Sequence, residues 1–79
     1  KKRKMEKKLS EMDYDEEGTV KGIAEDFREQ IAGMGIRVGK KVRMTTRQPI
    51  KGPVVIEMGR ANTSVGLGLA DKVIVDVEE

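Results

Sequence analysis

Lys41-Val42-Arg43-Met44-Thr45-Thr46-Arg47, then Gln48-Pro49-Ile50-Lys51-Gly52-Pro53, then Val54-Val55-Ile56-Glu57-Met58 is the stretch that decides the fold. Its first run alternates: Val42, Met44 and Thr46 fall on one side of an extended chain, and Lys41, Arg43, Thr45 and Arg47 on the other. The middle holds two prolines and a glycine within six residues, a composition that stops a strand and turns the chain. In the last run Val54, Ile56 and Met58 form an inward set with Glu57 outward. Two half-buried strands joined by a turn predict a β-hairpin with one core face and one wet face.

Toward the carboxy terminus, Gly59 to Asn62 reads as a turn and Thr63-Ser64-Val65 as a short strand. Leu69-Ala70-Asp71-Lys72 can close one helical or 3₁₀ turn, and Val73, Val75 and Val77 are the inward set of a last strand. Toward the amino terminus, Thr19 to Ile23 is a short strand candidate. A helix of about two and a half turns follows, with Phe27, Ile31 and Met34 on one face and Gly35 as its stop. Glu25, Asp26 and Glu29 sit near the positive end of its dipole.

Residues 1–8 carry six positive charges and one negative, and residues 9–17 carry five negative and none positive. Met5, Leu9 and Met12 make only a narrow stripe there. Residues 1–17 are therefore expected as a charged tail, flexible or a frayed helix, ahead of a globular domain at 18–79. A small sheet escapes long bare edges by closing on itself. The expected architecture is mainly β: a small SH3-like, partly closed barrel of about five short strands, with one short helix between strands 1 and 2 and a helical turn before the last strand.

Seventy-nine residues with 16 Lys plus Arg against 14 Asp plus Glu describe one small, nearly neutral domain. Such a chain hides about 60% of its unfolded surface, which leaves little interior for a deep substrate pocket. There is no Cys and no His, which removes disulfides, thiol nucleophiles, imidazole bases and the usual zinc ligands. No catalytic role, metal site or cofactor is expected. No apolar run approaches the roughly 20 residues of a membrane span, so no direct membrane insertion is expected and the cytoplasm is the expected location. The chain begins at Lys1 rather than Met, which is compatible with a natural start upstream.

Asp13, Asp15 and Glu17 alternate ahead of Gly18 as in a calcium loop, but the twelfth position is Ala24 rather than the bidentate Glu such loops need. A plain acidic linker is the better reading. Gly66-Leu67-Gly68 lacks the βαβ context and third glycine of a dinucleotide loop and reads as a tight turn. Arg37, Lys40, Lys41, Arg43, Arg47, Lys51 and Arg60 face Glu57 alone between positions 37 and 60, which predicts a basic face. That face suits an acidic protein surface, or is an ordinary solvated face, ahead of nucleic acid, because Phe27 belongs to the helix core and Tyr14 to the tail, leaving no stacking platform. With one Phe and one Tyr, the aromatic groove for polyproline is also missing.

Three segments in order resemble the FeoA family, ferrous iron transport protein A. Ile31 to Gly39 is similar to the family's helix end and following turn, Pro49 to Val54 to its hairpin loop, and Ser64 to Val75 to its Ser-Leu-Gly…Ala…Ile-x-Val segment. The resemblance implies a non-catalytic accessory or regulator of ferrous iron uptake that binds the cytosolic part of the FeoB-type permease, which carries a GTP-binding domain. The same module closes metal-dependent repressors of the diphtheria toxin repressor type, so a repressor's regulatory domain is the alternative, ahead of a small nucleic-acid-binding barrel. The expected partner-binding residues lie in two loops: Met34, Ile36, Arg37 and Lys40 in one, and Pro49 and Lys51 in the other.

Overall fold

The computed structural model describes residues 3–46 and 52–78. In chain order the elements are β1 (Lys4–Lys8), a 3₁₀ turn (Leu9–Glu11), β2 (Glu17–Ile23), a second 3₁₀ turn (Glu25–Phe27), α1 (Arg28–Ala32), β3 (Lys41–Thr46), β4 (Val54–Met58), β5 (Ala61–Val65), α2 (Leu67–Ala70) and β6 (Val73–Glu78). The strands form one antiparallel sheet in the order β1-β6-β2-β3-β4-β5. No ladder joins β5 back to β1, so the sheet is open. Its ends are drawn together instead by the first 3₁₀ turn, which packs on α2. The mainly β, SH3-like expectation holds, with six strands where about five were expected.

The alternation read from the sequence sets the core. Val42, Met44, Val54, Ile56, Met58, Val73, Val75 and Val77 are all buried, joined by Val20, Val65, Ile31 and Ala70. The predicted helix is shorter than its pattern suggested: Ile23 ends β2, a 3₁₀ turn intervenes, and α1 has five residues. Its apolar face is as expected, with Ile31 buried and Phe27 and Met34 packed against the core. The β4–β5 turn is tighter than expected, only Gly59 and Arg60, with φ +62° at Gly59.

The expected tail is corrected from residue 4 onward. β1 pairs with β6 from Lys4↔Glu78 to Lys8↔Ile74, and Leu9 and Met12 are fully buried. A 3₁₀ turn eclipses positions i and i+3, so Leu9 and Met12 enter the core side by side, something a helical stripe did not capture. The lysine density that suggested disorder suits an edge strand, where charge faces water and is tolerated. Lys7 donates to both carboxylate oxygens of Glu16 at 3.1 and 3.3 Å, and Lys21 pairs with Glu6. Buried Ser10 donates its hydroxyl to the Asp71 carboxylate beyond α2, tying the first 3₁₀ turn to that helix. Among the described residues no helix is long and apolar enough to cross a membrane.

Candidate functional site

The loop between α1 and β3 is built by two glycines. Gly35 has φ +88°, its N–H donates to Ala32 O at 2.9 Å, and the N–H of Ile36 donates to Ile31 O at 3.4 Å. This is a Schellman ending, in which the residue after the left-handed glycine turns back onto the helix. Its usual hydrophobic contact is supplied by Ile36 and Ile31, both fully buried. Gly39, at φ +92°, is the second such position. Lys40 N–H donates to Arg37 O at 3.0 Å, which makes Arg37-Val38-Gly39-Lys40 a type II turn with glycine where positive φ is required. Gly39 N–H to Val20 O at 2.8 Å and Val20 N–H to Lys40 O at 2.9 Å fasten this turn to β2.

Val38 therefore stands at the tip of a braced turn and is 60% exposed, the most exposed aliphatic side chain among the large hydrophobics. Beside it lies an open groove of about 290 Å³ lined by Ile23, Arg28, Ala32, Ile36, Arg37 and Val38. The lining is aliphatic with two guanidinium groups at its margin. Arg28, Arg37 and Lys40 are exposed and form no ion pair with a described residue.

Of the six expected partner-binding residues, Arg37 and Lys40 are exposed on this turn. Met34 is half-buried against the core. Ile36 is fully buried, because the Schellman ending tucks it inward, so it lines the groove's floor rather than projecting from the loop. Pro49 and Lys51 lie outside the described residues. Sequence reasoning missed Arg28 and Val38. A type II turn with Gly39 in its third position places the residue before the glycine at its tip, and that rule could have found Val38.

The expected basic face on β3 is largely neutralised. Arg43 lies between two carboxylates, donating to Glu57 Oε1 at 2.8 and 3.0 Å and to Asp15. Glu57 first and then Asp15 raise its pKa further. Lys41 lines a cleft of about 400 Å³ whose other walls include Asp15, Glu16, Glu17, Asp76 and Glu78. Arg47 and Lys51 lie outside the described residues. Two of the calcium-loop carboxylates turn to different cations: Asp13 lies 3.5 Å from Lys7, while Asp15 pairs with Arg43. Among the described residues no group of three or more carboxylates is placed to hold a metal ion.

A family model for the FeoA domain matches residues 7–77. Among solved structures, the chain superposes on an iron uptake regulatory protein, FeoA, with a TM-score of 0.82 at 31% identity, covering 95% of this chain and 99% of that one. The FeoA of Stenotrophomonas maltophilia, solved in complex with zinc, gives a TM-score of 0.74 at 23% identity, over 90% of this chain and 93% of that one. A manganese-dependent transcriptional repressor shares the fold, with a TM-score of 0.84 at 19% identity over 95% of this chain and 43% of the repressor. A comparison with curated proteins returns no match. With nearly its whole length matched by the family model and its fold shared with FeoA structures, the chain belongs to the FeoA domain family of ferrous iron transport.

Proposed function

We propose that this chain is a non-catalytic accessory protein of ferrous iron uptake, working in the cytoplasm, that docks on the cytosolic part of a FeoB-type permease through the braced turn at Arg37–Lys40. The single observation that carries this reading is the exposed aliphatic Val38, held beside an apolar groove whose margin bears Arg28 and Arg37 without acidic partners among the described residues. A rigid apolar anchor ringed by unpaired cations suits a partner surface that is apolar at its centre and acidic around it. The family's place in ferrous iron transport supports the choice of partner.

The test is an amide NMR titration of the labelled chain with the permease's cytosolic GTP-binding domain, with and without nucleotide. Saturable shifts at Arg28 and Arg37–Lys40, weakened about tenfold or more by Val38→Asp, are expected for an anchor residue. Absence of shifts at high concentration, or an unchanged affinity for the variant, would sink the proposal. The likeness to the manganese-dependent repressor favours a second reading, a repressor's regulatory domain, on fold alone. A winged helix encoded upstream of Lys1 in the natural reading frame would select it.

A further inference from the structure

An open sheet has two edges, and here their sequences differ. Edge strand β1 carries Lys4, Glu6, Lys7 and Lys8 in five residues. Charge on an edge is a common guard against pairing with another chain. A second copy laid antiparallel on β1 about Glu6 would set Glu6 against Glu6 and Lys4 against Lys8. The other edge, β5, reads Ala61-Asn62-Thr63-Ser64-Val65, with no charge and no proline. Its ladder to β4 runs from Met58↔Ala61 to Val54↔Val65 without a register shift, so no bulge twists the edge away either.

The tight turn settles which backbone groups face outward. A two-residue loop with φ +62° at its first residue, Gly59, is the hairpin in which the flanking residues, Met58 and Ala61, exchange both hydrogen bonds. Alternation then gives Thr63 and Val65 to β4, and leaves the N–H and C=O of Asn62 and Ser64 pointing away from the sheet. Neither residue makes a hydrogen bond outside the β4 ladder among the described residues, and both are exposed.

We propose that the β5 edge is a self-pairing surface, on which a second copy of this chain adds its own β5 antiparallel about a two-fold axis at Thr63. In this register Asn62 and Ser64 of the second copy exchange both backbone hydrogen bonds, twice by symmetry, which satisfies every outward group of the two residues. Thr63 meets Thr63 at the close, non-hydrogen-bonded position, a favourable cross-strand pair. Ala61 meets Val65, and no charge meets its like. The contact is small and concentration-dependent, and it joins two six-stranded sheets edge to edge.

The test is sedimentation equilibrium from micromolar to millimolar concentration, with amide exchange followed at Asn62 and Ser64. Wild type is expected to approach the mass of two chains while those two amides become protected. Asn62→Lys with Ser64→Lys sets lysine against lysine across the axis and is expected to weaken association about tenfold. Asn62→Lys with Ser64→Glu sets lysine against glutamate in the same register and is expected to restore it. Val38→Asp, which removes the proposed permease anchor, is expected to leave self-association unchanged, so the two proposals fail separately. A wild type that stays monomeric, a lysine–glutamate pair no better than two lysines, or protection that appears only with the permease domain would each overturn the proposal; the last would give the edge to that partner instead.

Discussion

Gly18 and Gly22 look alike in the sequence, two glycines within one β-branched run, yet they have opposite roles. A Cβ on Gly18 would lie 2.9 Å from both Asp76 O and Val77 Cγ1, where β6 runs alongside β2 with Val77 opposite Gly18. Gly18→Ala is expected to cost about 1–3 kcal/mol by overpacking, read by denaturant unfolding. Gly22 has nothing within 4 Å of the same position, so Gly22→Ala is expected to be neutral or to add about 0.4–1 kcal/mol by restricting the unfolded chain. Both glycines pair with β6, Gly18 with Val77 and Gly22 with Ile74, on either side of the register shift between Val20 and Gly22, and a sequence read alone does not show where that shift falls. Lys7 offers a second prediction. The hydrogen bond it donates to the Glu16 carboxylate is the chief cause that raises its pKa above 10.5. A group with a raised folded pKa stabilises fully below its unfolded value and loses that contribution as pH climbs through the folded one. Glu16→Gln is therefore expected to cost about 0.5–1 kcal/mol at neutral pH, with wild type and variant converging above about pH 10.5 in urea unfolding.

Among the elements, those with clean alternation were legible and those with mixed character were not. β3, β4 and β6 alternate over five or six residues, and the period alone found Val42 and Met44, Val54, Ile56 and Met58, and Val73, Val75 and Val77 as buried. β1 has Met5 as its only apolar residue, 39% exposed, so no periodicity betrays it. Its place comes from pairing with β6, a contact about 70 residues away that no local pattern records. Leu9→Ala is expected to cost about 2–5 kcal/mol, the range for a fully buried leucine, against nearly nothing if residues 1–17 were a free arm. Thermal unfolding of that single variant decides between the two descriptions. The α1 ending shows the converse error: the glycines were read correctly as a helix stop, but the direction of Ile36 follows from the Schellman bonds rather than from glycine spacing.

At the scale of the whole molecule, charge explains why the candidate surface was only half legible. Counting cations along the sequence gave a basic face, but folding sets Asp15 and Glu57 against Arg43, and Glu16 against Lys7. Asp15 and Glu57 compensate Arg43 on β3, whereas Arg28, Arg37 and Lys40 around the α1–β3 turn form no ion pair with a described residue. Docking at that turn is accordingly expected to weaken with added salt only modestly, through Arg28, Arg37 and Lys40, whereas a nucleic-acid binder would show a steep log–log slope. Isothermal titration at two ionic strengths measures it.

β6 occupies an inner position in the sheet, hydrogen-bonded on one side to β1 and on the other to β2, although it follows all the other described strands in sequence. Until it emerges from the ribosome, β1 has no ladder partner, and Val73, Val75 and Val77 are missing from the core. The nascent chain can pair β2, β3, β4 and β5 early, but β1 must wait, unpaired, until residues 73–78 have been made. Dense lysines and glutamates on that waiting segment keep it in solution through the interval when nothing yet covers it.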